Sequence, residues 1–556
     1  MHIPKVIITL AIALFILVAL TQNYKNRQIS SPFAQEIITH PSSPSTSAKI
    51  ELQPVIFNQE HQNRKLFGTF VKGRVIVKLA SALQLQTDSE NPLVPIDTLS
   101  DTTTQNSSFK SLLDSLQFQS ITPLSHATKS NIQNVYILDG TQLDVMSAIQ
   151  SLKQSPLVMI AQPDYYLYTD QSPINEPFLN DREPPAHERQ LPEFQGSWNQ
   201  DFDFQWNLKT IGINKDTDFT QQKEVVVAVL DSGVDYNHTE LRDNMWINRS
   251  ENPSNRRDDD GNGFVDDYRG WDALDFIARV EDRDFRIQPD NDPMDNATES
   301  YFQAANVRVG GGHGTAVAGI IGGRINNYGM IGINPHAKIM PLRVCDASGI
   351  CPSSAIIQML EYAIDKKVDV INMSFGRNEP DEITQNLVKE AYKKGIVLIA
   401  AAGNDGNSKA NHYPADYNEV VSVSAIEPND SISDYSHVSE NVDISAPASF
   451  VVTPRGSQTD MACVFSSDCN FRKVDHSWVV IGQNLDFTVF SGTSSSSPHV
   501  AAAASLLKGK HPSLSNKEII HILLNSADDL GAPGFDPQFG YGRLHLQKAL
   551  SEMNTS

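Results

Sequence analysis

The stretch Phe490-Ser-Gly-Thr-Ser-Ser-Ser-Ser-Pro-His-Val500 places Ser494 between a Gly-Thr turn and an Ala-rich helical run. A serine hydroxyl attacks a carbonyl carbon only when a base accepts its proton and dipoles stabilise the oxyanion that forms. A serine at a helix start is more commonly an N-cap than a nucleophile. The catalytic hypothesis therefore depends on partner groups elsewhere in the chain.

Three motifs upstream of Ser494 supply such partner groups. Asp231 follows the apolar run 225–230, which predicts a buried parallel strand with a carboxylate at its C-terminal end. His313 follows a run of glycines and begins a segment of small residues that predicts a helix. Asn404 ends another apolar run, and its side-chain amide can donate a hydrogen bond. Alone, Asp231 is well explained as a strand-end turn residue and Asn404 as a turn former, but the motifs together favour one catalytic site.

The order Asp, His, Asn, Ser along the chain resembles that of the subtilisin-like (subtilase) serine proteases and differs from the order in chymotrypsin-like enzymes and α/β-hydrolases. The resemblance extends over roughly residues 205–550. It implies that Asp231 orients the imidazole, that His313 is general base and then general acid, and that Ser494 is the nucleophile. It also implies that Asn404 and the Ser494 backbone N–H stabilise the oxyanion.

Residues 371–376, Ile-Asn-Met-Ser-Phe-Gly, are similar to the strand on which subtilases pair a substrate chain. We therefore expect a secreted serine endopeptidase that hydrolyses polypeptides through an acyl-enzyme, with no cofactor for catalysis. Two alternatives stay open: a catalytically inactive binding protein on the same scaffold, and a serine hydrolase acting on esters. Backbone pairing with an extended chain favours polypeptide over ester substrates. The resemblance implies five substrate-binding residues: Ser374, Phe375, Gly376, Ala402 and Gly403.

Apolar runs alternate with helical patterns through the catalytic region. This alternation predicts an α/β fold of subtilisin-like type, with a doubly wound, mostly parallel sheet and helices on both faces. Ligands of such sheets bind beyond the carboxyl ends of the strands, where Asp231 and Asn404 are placed. The predicted strands are 225–230, 339–342, 368–373, 396–402 and 420–425, and the predicted helices are 353–364 and 382–392.

The N-terminal part of the chain predicts separate units. Lys5 and the apolar run 6–20 are typical of a signal peptide, and an uncleaved anchor is the alternative. A β-α-β-α-β order predicts a small α+β domain whose last residues resemble those of subtilase propeptides, which inhibit their own enzyme; an ordinary accessory domain is the alternative. The expected divisions are 1–22 signal peptide or short anchor, 23–65 flexible spacer, 66–168 propeptide domain, 169–204 processing linker and 205–556 catalytic domain.

The four cysteines form two similar pairs, Cys345 with Cys351 and Cys463 with Cys469. In an exported chain, two short local disulfides are the simplest of the three possible pairings. Free thiols in a reducing compartment or a shared metal are the alternatives. The spacings lack the tighter cysteine pairs of common zinc sites.

An acidic loop, Asp-Asp-Asp-Gly-Asn-Gly-Phe-Val-Asp-Asp over residues 258–267, resembles an EF-hand loop with a glycine at the sixth position. Position twelve is Arg269 instead of the glutamate that closes the calcium shell. Two interpretations of this loop remain: a binding site for a structural calcium ion, and a solvated acidic turn. The expected metal ligands are Asp258, Asp260, Asn262 and Asp266.

The net charge of −22, from 66 acidic and 44 basic residues, disfavours nucleic acid and anionic membrane surfaces as partners. The expected partners are polypeptide substrates and the chain's own propeptide as an intramolecular inhibitor. A membrane is expected as a partner only when the N-terminal segment stays attached. We expect a monomer that is secreted or held in the cell envelope.

Overall fold

A seven-stranded sheet in which every neighbouring pair of strands is parallel forms the centre of the computed structural model. The structure describes residues 69–80, 94–99, 104–124, 134–141, 143–170, 205–280, 283–295, 311–326, 329–406, 408, 410–456 and 487–553. Its strands are β1 (Phe70–Leu79), β2 (Val94–Pro95), β3 (Ser120–Pro123), β4 (Val135–Asp139), β5 (Val158–Thr169), β6 (Val226–Asp231), β7 (Trp271–Asp272), β8 (Phe276–Val280), β9 (Arg283–Ile287), β10 (Lys338–Arg343), β11 (Ile350–Pro352), β12 (Val370–Met373), β13 (Phe375–Gly376), β14 (Val397–Ala401), β15 (Val421–Ile426), β16 (Ile444–Pro447), β17 (Val451–Pro454) and β18 (Phe487–Phe490). The strand order in the central sheet is β16-β15-β14-β12-β6-β10-β7.

The α-helices of the described residues lie on this sheet or on a smaller one near the N-terminus. They are α1 (Thr104–Ser115), α2 (Val145–Leu152), α3 (Trp206–Thr210), α4 (His313–Gly322), α5 (Ser353–Asp365), α6 (Glu382–Lys393), α7 (Thr493–Lys510), α8 (Asn516–Asn525) and α9 (Leu546–Met553).

The side chains of β6 alternate between two hydrophobic cores. Val227 and Val229 belong to one core, and Ala228 and Leu230 belong to the other. Because successive side chains of a strand point to opposite faces, both faces of the sheet are covered. Residues of α5 and α6 pack in one core, and residues of α4, α7 and α8 pack in the other. The doubly wound α/β fold predicted from the sequence is confirmed.

Helix α7 passes through the interior, where it contacts α4, β14 and β15. Its first three turns consist largely of serine and alanine, and residues Ser494 to Ala504 are buried. Small side chains let the helix axis approach the sheet closely. The helix begins at Thr493, so Ser494 lies in the first turn of a buried helix.

An antiparallel sheet with the order β5-β1-β4-β3-β2 forms the N-terminal unit, and α1 and α2 pack on it. This agrees with the predicted small α+β domain. The predicted β-α-β-α-β order lacks β3 and the short β2. β3 is four residues long and only Ser120 and Ile121 in it are buried, so the sequence has no apolar alternation there that would indicate a strand.

Strand β5 joins the N-terminal unit to the catalytic region. Its first part pairs with β1, and its last residues pair with β11 on one side and β13 on the other. The boundary expected after residue 168 falls within this strand. The described segment continues to Asp170, which is buried.

Several predicted features fall outside the described residues: the N-terminal segment 1–22, the spacer 23–65, the linker from residue 171 to 204, and the pair Cys463 and Cys469. The other cysteine pair, Cys345 and Cys351, forms the predicted local disulfide. Across the described ranges, no helix combines the length and apolarity that a membrane crossing requires.

Candidate active site

The carboxylate of Asp231 and the imidazole of His313 meet at the C-terminal edge of the central sheet. Asp231 is the last residue of β6 and His313 is the first residue of α4. His313 Nδ1 lies 2.6 Å from Asp231 Oδ1, and the two residues are 4% and 0% exposed. Because an ionised carboxylate is an acceptor only, Nδ1 carries the proton and Nε2 is left as the acceptor. No described group hydrogen-bonds to His313 Nε2, which is buried.

The glycine after the histidine permits this contact. A Cβ atom on Gly314 would overlap the carbonyl oxygen of Gly233 and lie 3.0 Å from the Cβ of Asp231. Gly312, at the N-cap of α4, has a φ of 85°, which favours glycine. The glycines around His313 therefore allow the start of α4 to approach the end of β6.

Ser494 lies at the same edge and is completely buried. Its Oγ donates a hydrogen bond to the carbonyl oxygen of Ser374 at 2.9 Å. Its backbone N–H, at the start of α7, donates to the carbonyl oxygen of Asp170 at 3.1 Å. The Ser494 hydroxyl is thus hydrogen-bonded to the Ser374 carbonyl oxygen and not to His313. Catalytic hydrogen bonds commonly form only in the reactive complex.

The side chain of Asn404 is oriented by the residue that precedes Ser494. Asn404 Oδ1 accepts hydrogen bonds from Thr493 N at 3.0 Å and from Thr493 Oγ1 at 2.9 Å. These two donors fix which end of the amide is the oxygen. The amide nitrogen is buried and bonds to no described group. It is therefore a preorganised donor close to the nucleophile, the arrangement that an oxyanion hole requires.

Asp295 holds the two catalytic motifs together, and the sequence analysis did not assign it a role. It is completely buried and accepts bonds from Gly312 N at 2.8 Å, Thr315 N at 3.1 Å, Thr315 Oγ1 at 2.7 Å and Ser232 Oγ at 3.2 Å. Ser232 Oγ in turn accepts the Gly314 N–H at 3.0 Å. One carboxylate therefore connects the residue after Asp231 with the residues around His313.

Burial raises the pKa of Asp295 from 3.8 to about 6, against the opposing effect of the backbone and hydroxyl donors. A group with a raised folded-state pKa contributes stability that is present below its unfolded pKa and lost as the pH rises through its folded pKa. For Asp295 this window lies between about pH 4 and pH 6.

The predicted substrate-binding residues do not all contact the same segment. Phe375 and Gly376 pair with β5, and the Ser374 carbonyl oxygen accepts the Asp170 N–H at 3.0 Å. Gly403 N donates to Thr493 Oγ1 at 3.2 Å, beside the nucleophile. Ala402 is buried, and its N–H bonds to β15.

His499 is a buried histidine on α7, five residues beyond Ser494, that does not act as a base. Its Nδ1 donates to the Ser495 carbonyl oxygen at 2.7 Å, and its Nε2 accepts from Asn207 at 2.9 Å. Burial lowers its pKa to about 4. Both ring nitrogens are occupied, as expected for a packing residue.

The four predicted metal ligands make hydrogen bonds within the acidic loop and with the residues just before it, and Asn262 N donates to both Asp258 Oδ1 and Asp260 Oδ1. The carboxylate of Asp258 accepts N–H groups within the loop, and that of Asp266 accepts the N–H groups of Asn255 and Arg256. The Asn262 side chain bonds to Asp267 and to a backbone N–H. Of the predicted set, only Asp260 belongs to a cluster of carboxylates. The other three predicted ligands make short hydrogen bonds within or beside the loop, and the EF-hand ligand assignment stays a prediction.

The carboxylates that do converge belong to Glu251, Asp260 and Asp267, with oxygens within 4.8 Å of one another. Lys366 lies between two of them, with Nζ 2.7 Å from Asp260 Oδ2 and 3.2 Å from Asp267 Oδ2. Glu251 Oε2 is buried and bonds to no described group. A lysine ammonium thus balances part of the charge that a metal ion would otherwise balance.

The comparisons with known proteins agree with this geometry. The sequence model of the subtilase family matches residues 222–542, which is more than half of the chain. The chain belongs to the subtilase family. The crystal structure of fervidolysin from Fervidobacterium pennivorans, described as a keratinolytic enzyme related to subtilisin, superimposes with a TM-score of 0.58. At 20% identity, over 87% of this chain and 61% of that one, it shows a common fold.

Two curated relatives show how far the similarity extends. The minor extracellular protease Epr of Bacillus subtilis (strain 168) is 34% identical over 236 residues, which cover 42% of this chain and 32% of that protein. Subtilisin DY of Bacillus licheniformis is 32% identical over 243 residues, 43% of this chain and 78% of that protein. The match thus spans about a third of Epr and most of subtilisin DY.

Asp295→Asn should weaken the link between the two catalytic motifs. The amide keeps one acceptor oxygen but presents an NH₂ group to buried donors, so we expect the unfolding free energy to fall by about 1.5–3 kcal/mol, the range for one hydrogen bond to a charged group. The deficit should be larger at pH 4 than at pH 7, because the contribution of the protonated carboxyl group is lost as the pH rises through about 6. Urea unfolding at several pH values measures both effects. Asp292→Asn, at an exposed position, is the control; a deficit that does not change with pH would contradict the assignment.

Lys366→Met should make stability depend more strongly on calcium. Removal of the ammonium leaves Asp260, Asp267 and Glu251 together without their cation, and because Asp260 is exposed the cost stays below the roughly 3 kcal/mol of a fully buried pair. A calcium ion would then relieve the repulsion, so the melting temperature should rise more with calcium, relative to chelator, in this variant than in the parent. Lys367→Met, at the exposed neighbouring lysine, is the matched control. Equal calcium responses in the two variants would count against this role of Lys366.

Proposed function

We propose that the protein is an exported serine endopeptidase, made as a precursor whose N-terminal unit occupies and inhibits its own active site. The observation that carries this proposal is the position of β5. It is an extended polypeptide segment hydrogen-bonded along the site, and the carbonyl oxygen of the next residue, Asp170, accepts the Ser494 N–H. An active site that pairs with an extended backbone is suited to polypeptide substrates.

The register of β5 is that of a substrate on the acyl side of a scissile bond. Tyr168 pairs with Ile350 of β11 and with Gly376 of β13, so it lies between the two strands. Thr169 N donates to the Gly349 carbonyl oxygen at 3.0 Å. The next carbonyl group, that of Asp170, lies against the nucleophile. The peptide bond after Asp170 is therefore the bond presented for attack.

The side chains support the following chemistry. His313 Nε2 accepts the Ser494 hydroxyl proton as Oγ attacks the carbonyl carbon, and Asp231 holds the Nδ1–H tautomer and stabilises the imidazolium. The Ser494 N–H and Asn404 Nδ2 bind the tetrahedral oxyanion. Collapse of this intermediate sends the proton from His313 to the leaving amine, and water then hydrolyses the acyl ester by the same steps in reverse. A side-chain donor of this kind contributes about 2.7–4 kcal/mol, a value measured on subtilisin.

A buried carboxylate on β5 anchors the N-terminal unit to α5. Asp164 is completely buried and accepts bonds from Ser354 N at 2.8 Å, Ser354 Oγ at 2.7 Å and Ser353 Oγ at 3.1 Å. Because these residues begin α5, Asp164 satisfies one N–H group, that of Ser354, which the helix itself leaves unpaired. Arg74 lies 3.6 Å from Asp164 and pairs with Asp139 at 2.8 Å. These contacts support an inhibitory role for the unit.

Export is proposed from the N-terminal segment and the disulfide. The apolar run after Lys5 is typical of a signal peptide, and the Cys345–Cys351 disulfide suits an oxidising compartment. One relative, Epr, is described as extracellular. We propose a secreted or envelope location, with polypeptides and the N-terminal unit as partners.

Ser494→Ala should abolish peptide hydrolysis and leave the precursor at full mass. The variant removes the attacking oxygen, and the small alanine side chain still fits the buried start of α7, so folding should be unaffected. Intact-mass spectrometry and circular dichroism check these two points. Ser495→Ala, the next residue along, is a matched control that should still be processed. Processing of purified Ser494→Ala to the parental mass would refute self-cleavage.

The same preparation separates the alternatives. A fluorophosphonate probe that labels the processed parent but not Ser494→Ala supports an active hydrolase, whereas an unlabelled parent supports an inactive binding protein. A preference for ester over peptide substrates would support the esterase alternative.

Asp164→Ala should shorten the interval between precursor cleavage and the appearance of full activity. It removes the acceptor for the Ser354 N–H in the first turn of α5, a capping interaction of about 0.5–2 kcal/mol, and leaves Arg74 with one carboxylate fewer. The cleaved N-terminal unit should therefore dissociate faster. Hydrolysis of a fluorogenic peptide during maturation measures the interval. Asp114→Ala, at an exposed position on α1, is the control; an unchanged interval in Asp164→Ala would contradict the anchoring role.

A further inference from the structure

The side chain of Asp170 is held in a pocket beside the nucleophile. Asp170 is 7% exposed, and its Oδ2 lies 2.9 Å from Nε2 of His412. A carboxylate at this position accepts hydrogen bonds only, so His412 Nε2 is the donor. The last described residue of the precursor segment therefore buries a charged side chain against an imidazole, next to the peptide bond that the site presents.

The ring of His412 fills the space between the two segments that flank the substrate. A Cβ atom on Gly376 would overlap the His412 ring, and a Cβ atom on Gly403 would lie 2.8 Å from His412 Cγ. Gly376 pairs with β5, and Gly403 lies next to Asn404. Both glycines are thus in close contact with the ring, and the imidazole lines the pocket that receives the Asp170 side chain.

The backbone around His412 is fixed on two sides. His412 N donates to Asp416 Oδ2 at 2.8 Å. Tyr413 exchanges two backbone hydrogen bonds with Arg377, the residue after β13, at 2.7 and 3.0 Å. A donor held in this way loses little freedom when a substrate binds, which favours specific recognition.

A second histidine adds to the polar character of the pocket. The ring centroids of His437 and His412 are 6.2 Å apart. The backbone N–H of His437 donates to the Gly403 carbonyl oxygen at 2.9 Å. Neither ring nitrogen of His437 bonds to a described group, although both are buried. The pocket is therefore lined by two imidazole rings. An apolar substrate side chain would be better accommodated by apolar walls.

We propose that the protease cleaves after aspartate, and that His412 selects the carboxylate of the residue that precedes the scissile bond. This inference rests on the proposed function and names its substrate class. The first substrate is the precursor itself, cut between Asp170 and Gln171. Ser494 Oγ forms an ester with the Asp170 carbonyl carbon, the amine of Gln171 leaves with the proton from His313, and water releases Asp170 with a free α-carboxylate.

An apolar residue in place of aspartate would leave the buried His412 Nε2–H without an acceptor. Sites built to hydrogen-bond a polar group reject analogues that lack it far more strongly than apolar pockets reject a missing methylene. We expect kcat/KM for aspartate to exceed that for leucine by at least about 100-fold. Glutamate, one methylene longer, should be cleaved about 10-fold less well.

The experiment uses the mature protein that the full-length precursor yields on processing. The substrates are peptides Leu-Tyr-Thr-X with a fluorogenic leaving group, where X is Asp, Glu, Asn, Leu or Phe. The first three residues are those of positions 167–169. In His412→Leu, hydrolysis after aspartate should fall at least about 100-fold while hydrolysis after leucine is kept or increased. His412→Gln, which retains a donor, should retain part of the aspartate preference. His521→Leu, at an exposed histidine on α8, should change neither.

A second experiment changes the cleavage site of the precursor and the pocket together, so that a variant that only matures poorly is recognised. Asp170→Leu should slow precursor processing, and Asp170→Leu combined with His412→Leu should restore it at the same bond. Mass spectrometry of the released N-terminal unit should find Asp170 at its C-terminus in the parent. Processing of Asp170→Leu at the parental rate, or a cut elsewhere in the parent, would overturn the inference.

The outcomes separate this inference from the proposed function. Equal cleavage after leucine, phenylalanine and aspartate would leave a serine endopeptidase but remove the aspartate specificity. If no peptide in the series is hydrolysed and a fluorophosphonate does not label Ser494, the proposed function itself fails.

Discussion

The hydrogen bond between Asp231 and His313 joins the end of a parallel strand to the start of a helix, and the rest of the site is arranged around it. Both residues are buried, so the attraction between them is weakly screened and their alignment depends on neighbouring groups. Asp295 supplies that alignment by accepting bonds from both motifs, and Gly314 permits the close approach. The sheet and its helices bring these short loops to one edge.

The N-terminal unit is bound to that edge by the interactions that a substrate would use. Its strand β5 completes a backbone ladder between β11 and β13, and the Cys345–Cys351 disulfide closes the loop that leads into β11. Through Asp164, the same unit also satisfies the Ser354 N–H in the first turn of α5. The proposed inhibition and the proposed substrate recognition thus use one set of contacts, and cleavage after Asp170 would break the covalent link without removing them.

The charged groups of this acidic protein have different roles according to their surroundings. In the loop 258–267, most carboxylates accept hydrogen bonds from nearby backbone N–H groups. The cluster of Glu251, Asp260 and Asp267 arises only when separate parts of the loop region fold together beside Lys366. At the active site, a carboxylate from another unit meets His412.

The sequence by itself determined the fold class, the strand ends that carry Asp231 and Asn404, and the helix starts that carry His313 and Ser494, because apolar periodicity and glycine-rich turns are local signals. It also indicated Ser374, Phe375 and Gly376 through their resemblance to a substrate-pairing strand. Only the tertiary structure decided the roles of Asp295, Asp164 and His412. Their partners lie 17 to 242 positions away along the chain, and no local pattern records which distant donors a buried side chain will meet.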